Sequence, residues 1–111
     1  MNRWNIPAWL ELEVRKRDRN CVYCGASFVA NSALRRARPS WEHIINDERL
    51  VTRENIAICC IGCNASKGTK DLAVWLKSEY CKSHGITELT VASVVQCAIA
   101  NAERSVADGD G

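Results

Sequence analysis

Two pairs of cysteines, each pair separated by two residues, are the densest chemistry in this 111-residue chain: Cys21 with Cys24, and Cys60 with Cys63. Four thiolates at that spacing are the number and type of ligand that closes a tetrahedral structural zinc site. From Cys24 to Cys60 is 36 positions, longer than a compact zinc ribbon needs, so a whole structural element must be inserted between the knuckles. The bland alternative is four buried thiols without metal. Seven cysteines, an odd count, argue against a disulfide scaffold and for free or metal-bound thiols. Cys59 competes with Cys60, but only Cys60 stands at the two-residue gap from Cys63. Cys59, Cys81 and Cys97 are expected as small buried hydrophobes.

The cysteine pairs bracket a second set of polar residues: Glu42-His43, Asn55, and Asn64 directly after the last cysteine, with Lys67 beyond it. A histidine that is neutral near pH 7 can take a proton from water. An asparagine oxygen can coordinate a hard cation such as Mg²⁺, or simply cap a helix. A base, a cation and groups that hold phosphate are the parts that phosphodiester hydrolysis needs. Successive residues of a strand point to opposite faces, so Glu42 and His43 would diverge unless a twist or bulge redirects one of them.

Those residues need elements to carry them. Pro7 with Leu10, Leu12 and Val14 predicts a helix over about 7–18 that delivers the chain to the first knuckle. Residues 29–39, with Arg35, Arg36, Arg38 and Pro39, read as a basic, partly extended excursion. Residues 40–45 and 56–58 read as two strands of a hairpin with a polar loop over 46–54. A helix is expected to start at Asn64-Ala65-Ser66, with helical periodicity continuing through Leu72, Trp75 and Tyr80. Thr87 or Thr90 would cap a last helix to about 104, and residues 107–111 read as a tail. The expectation is one α+β domain over 1–106, its motif core at about 20–76.

The order of these residues resembles the HNH family of endonucleases in its zinc-knuckle form. The resemblance rests on Glu42-His43, Asn55 and the segment Cys60-Ile61-Gly62-Cys63-Asn64-Ala65-Ser66-Lys67-Gly68. It implies a ββα-metal (His-Me finger) fold, structural Zn²⁺ on the four paired cysteines, and a metal-dependent DNA endonuclease in which His43 activates water. It also implies a catalytic divalent cation, Mg²⁺ or another, on Glu42 and Asn64, and a middle Asn55 that ties the hairpin together. Lys67 would hold the phosphate beside the helix N-terminus. Two departures stand out: Glu where the family more often has Asp, and a loop, Asn46 to Thr52, without the Gly-Gly turn and proline of many relatives.

Net charge is only +2. The charge is unevenly spread, with an excess of Lys and Arg through residue 70 and of Asp and Glu after it. Arg35, Arg36, Arg38, Arg49 and Arg53 flank the hairpin and suit contacts to a DNA backbone. Trp41 is either packing or a platform for a base. The apolar Leu89–Ile99 stripe is core, or a surface for a second copy or a larger partner. With no apolar run that spans a membrane and no secretory signal in MNRWNIPAWLELEV, the expectation is a cytoplasmic protein without a membrane partner. The rival to the enzyme is a catalytically inactive, zinc-stapled nucleic-acid-binding module. A remoter possibility is a structural zinc protein whose last helix recruits a partner.

Overall fold

A computed structural model describes residues 5–110 of the chain, with side chains described through residue 102. Helix α1 (Ala8–Arg17) starts where the Pro7 carbonyl accepts from the amides of Leu10 and Glu11, both at 3.0 Å. Proline suits this position, because it presets φ and the first turn of a helix does not need its missing N–H. Leu10 and Val14, one turn apart, are the residues α1 buries.

Strands β1 (Pro39–His43) and β2 (Ile56–Cys60) form a two-stranded antiparallel sheet in which Glu42 faces Ala57 and His43 faces Ile56. All five residues of β2 are buried, so the strand reads as a continuous apolar run with no alternation. Its two faces feed two cores. Ile56 and Ile58 pack with Ile6, Leu10 and Val14 under α1. Ala57 and Cys59 belong to the larger cluster with Tyr23, Trp75 and Val95.

Helix α2 (Ile61–Lys67) follows β2 without a loop. It begins three residues before the expected start at Asn64, because the Cys60 sulfur caps it by accepting from the Cys63 amide at 3.4 Å. It ends at Gly68, whose φ of 51° lies in the left-handed region where a side chain is costly. The helical pattern of residues 71–80 is split into α3 (Leu72–Trp75) and α4 (Glu79–Ser83), since the Ser78 hydroxyl accepts from the Cys81 amide and opens a new helix. Helix α5 (Ser93–Asp110) starts later than either threonine predicts. Thr87 and Thr90 instead close a turn of their own, the Thr87 amide donating to Thr90 Oγ1 at 2.8 Å. The backbone of α5 continues over 107–110, where the sequence suggests a tail, and Gly111 lies outside the described residues. Cys59 and Cys81 are buried as expected, whereas Cys97 is exposed on α5. In the apolar stripe, Val91 and Val95 enter the core while Leu89 is 82% exposed.

A clasp that sequence reasoning missed fixes α1 to β2. Buried Asp18 accepts from the Ile58 amide at 3.1 Å and pairs with Arg17 through both carboxylate oxygens, at 2.7 and 2.8 Å. Arg17 in turn donates to the Arg53 and Ile56 carbonyls. Asp18→Ala leaves a buried strand amide without its acceptor and frees the guanidinium, so it is expected to cost about 2–3 kcal/mol of stability in a denaturant titration. Among the described residues, no helix is long and apolar enough to cross a membrane.

Candidate functional site: a four-cysteine cluster beside a polar cleft

The two knuckles bring Cys21, Cys24, Cys60 and Cys63 together so that their four sulfurs all lie within 4.8 Å of one another. Thiolates about 2.3 Å from a tetrahedral Zn²⁺ stand about 3.8 Å apart, and Cys24 Sγ is 3.9 Å from Cys60 Sγ. The amide of Cys24 points at Cys21 Sγ (3.5 Å) and that of Cys63 at Cys60 Sγ (3.4 Å), donors that suit anionic sulfur. The donor set and its spacing fit zinc. Cys59 points elsewhere, toward the Ser40 hydroxyl, as the two-residue spacing requires.

An open cleft of about 760 Å³ lies between the end of β1, the 44–55 loop and α2. Glu42, His43 and Asn64 line it, together with Trp41, Asp47 and Arg49. Burial pushes the His43 imidazole below its ordinary value, against the opposing pull of the Glu42 carboxylate, so the ring is neutral at pH 7. Asn64, inside α2, is not its cap. Its Nδ2 donates to Ser40 Oγ (3.0 Å) and to the Trp41 carbonyl (3.1 Å), which pins α2 on β1 and fixes Oδ1 as the free acceptor of that amide. Asn55 is buried and closes the loop: Oδ1 accepts from the Ile45 amide (2.7 Å), and Nδ2 donates to the Ile45 and Leu50 carbonyls.

Glu42 and Lys67 sit differently from the sequence expectation. Lys67 is 1% exposed, and its ammonium lies 3.2 Å from Glu42 Oε2 and 3.4 Å from the His43 carbonyl. It is therefore enclosed between α2 and β1, with its charge directed at a carboxylate and none of it presented to solvent. Glu42 Oε2 also accepts from Tyr23 Oη at 2.6 Å. Burial, with Glu42 beside it, pushes the Tyr23 phenol well up, so it stays a donor. Tyr23 lies within the first knuckle, and no sequence signal beyond that position marks it. Both faces of β1 are covered at this end, which is how neighbouring Glu42 and His43 are both buried. Among the described residues, the four cysteines are the one group of three or more His, Cys, Asp or Glu side chains within metal-sharing distance.

The arginines divide into two sets. Arg49 is paired with Asp47 at 2.9 Å, and Arg53 with Glu13 at 3.3 Å. Arg35 and Arg36, in a 3-10 turn at Arg35–Ala37, and Arg38 after it are exposed. Trp41 packs against the α1 core and carries the Arg15 guanidinium 5.0 Å from its ring centre, so one face of the ring is already taken.

Over 73 residues, 63% of this chain, the sequence is 29% identical to the CRISPR-associated endonuclease Cas9 of Corynebacterium diphtheriae. The chain spans only about 6% of the length of that relative. No family model matches the chain, and no solved structure matches it. What stands is a small α+β chain with a four-cysteine cluster of zinc-binding geometry and a limited likeness to an endonuclease.

Proposed function

We propose that the chain is a zinc-stapled HNH endonuclease domain of the ββα-metal type, hydrolysing phosphodiester bonds in DNA. The observation that carries this reading is the convergence of a buried His43 with Asn64 and Glu42 on the wall of one open cleft, in a chain that also gathers a four-cysteine cluster. His43 takes a proton from a water molecule as its oxygen attacks phosphorus, and the P–O bond to the leaving sugar oxygen breaks. Asn55 holds the loop that follows His43, and so keeps the cleft in shape. Asn64 and Glu42 are the residues that would hold a hard divalent cation here, which would supply charge to offset the developing oxyanions. Lys67 acts as a positioning residue for Glu42. Arg35, Arg36 and Arg38 are exposed and suit contacts to a DNA backbone, while Arg49, on the wall of the cleft, is paired with Asp47, and Arg53 with Glu13.

The Glu42–Lys67 pair favours a second reading, an inactive nucleic-acid-binding module, since a carboxylate already neutralised by an ammonium is a weaker cation ligand. Supercoiled plasmid incubated with Mg²⁺, Mn²⁺ or Ni²⁺, against an EDTA control, separates the two. Nicking by the wild type that falls about 10²- to 10⁴-fold in a folded, zinc-loaded His43→Ala variant is the expected result. A folded wild type that never cuts, or a variant that cuts equally well, leaves the binding module in its place.

A further inference from the structure

Helix α4 lies beyond the stretch that resembles the nuclease family, yet it reaches the cysteine cluster. Tyr80 Oη donates to Cys63 Sγ at 3.4 Å. The first cysteine of each knuckle, Cys21 or Cys60, receives a backbone amide from its own loop. Cys63, the second of its pair, is met by a side chain from a separate helix. The phenol is held in that position: its ring stacks on His84 at 4.0 Å and on Trp75 at 6.1 Å, and the His84 ring nitrogen lies 2.8 Å from the Tyr80 carbonyl. The knuckle is cut to admit it. A Cβ on Gly62 would stand 3.3 Å from Tyr80 Oη and 3.4 Å from the Arg36 carbonyl, so glycine between the ligands Cys60 and Cys63 leaves the hydroxyl its path to sulfur.

We propose that Tyr80 is a positioning residue of the zinc site, whose hydroxyl withdraws charge from the Cys63 thiolate and slows the loss of the ion. Four thiolates on Zn²⁺ leave a net charge of about −2, and each donated hydrogen bond stabilises that charge and makes the sulfur less nucleophilic. Partners of this kind, touching a ligand without touching the metal, are worth about 10- to 100-fold in metal affinity.

Tyr80→Phe removes the hydroxyl and keeps the ring with its two stacking contacts. With zinc content first confirmed by native mass spectrometry, zinc transfer from the full chain to an excess of a chromophoric chelator is expected to be about tenfold faster in Tyr80→Phe than in the wild type. In the Co²⁺-substituted proteins, the thiolate-to-cobalt charge-transfer band is expected at lower energy in the variant, because a sulfur without its donor is easier to oxidise. Tyr80→Leu, which also removes the ring, separates packing from hydrogen bonding. Equal transfer rates and an unmoved band in Tyr80→Phe, or acceleration in Tyr80→Leu alone, overturn the proposal. So does a wild type that holds no zinc, whatever the nicking assay gives.

Discussion

Cys60→Ser is expected to abolish stoichiometric zinc and with it the cooperative thermal transition, while Cys59→Ser keeps both. The two cysteines are neighbours at the end of β2, and each is at most 5% exposed. Only Cys60 has its sulfur in the cluster, and that sulfur does a second job as the cap of α2. Losing it removes one ligand of four and the acceptor for the first turn of the helix that carries Asn64 and Lys67. Structural zinc sites contribute about 10–16 kcal/mol of apparent binding free energy. That is of the same order as the roughly 5–15 kcal/mol by which a domain is stable at all. The larger core contains Cys21, Cys60 and Cys63 as members, so loss of the ion leaves unligated thiols inside the core that joins the first knuckle to α2. Serine at 59 trades one buried thiol for a smaller hydroxyl beside Ser40, with an expected cost of about 1 kcal/mol. Zinc content by mass spectrometry and melting followed by circular dichroism give both readings. Retention of one zinc and a wild-type melt in Cys60→Ser would remove Cys60 from the ligand set.

The cysteine pairs were legible because metal ligation imposes a spacing that little else imposes, and the described structure gathers the same four sulfurs that the spacing selects. The hairpin was legible because β2 is apolar throughout and Asn55 stands at its start. The start of α2 was not, because a cysteine sulfur is outside the usual set of capping groups, and Asn64 looked like the natural cap. The break between α3 and α4 hides inside a good apolar period, where only the Ser78 hydroxyl, facing an amide three residues on, reveals it. Cys97 failed for a different reason: it stands two residues, about 200° around α5, from buried Val95, and so lies on the outer face of the helix. Lys67 and Glu42 were least legible. Lysine is almost never fully buried unless paired, and the partner that buries this one is on another element, 25 positions earlier.

Lys67→Met is expected to cost about 3–5 kcal/mol, far above the ~0.5 kcal/mol of a surface lysine, because it leaves the Glu42 carboxylate buried with Tyr23 as its one remaining donor of the pair. Methionine nearly matches the lysine stem in volume, so the loss reads the charge and little of the packing. Glu42→Gln keeps an oxygen for the Tyr23 hydroxyl but removes the counter-charge, and is expected to destabilise by a similar amount through the stranded ammonium. The double variant, Glu42→Gln with Lys67→Met, buries no charge and is expected to recover most of the loss. The coupling between the two positions would then exceed ~1.5 kcal/mol in a chemical-denaturation cycle. A lysine that only held phosphate would give the opposite pattern: unchanged stability in Lys67→Met, additive single variants, and a loss confined to nicking. In the folded double variant, the same plasmid assay then tests Glu42 itself. Cutting that persists at near wild-type rates with Mg²⁺ would mean that the carboxylate serves the fold and not the cation, and would leave Asn64 and His43 as the groups that face the reaction.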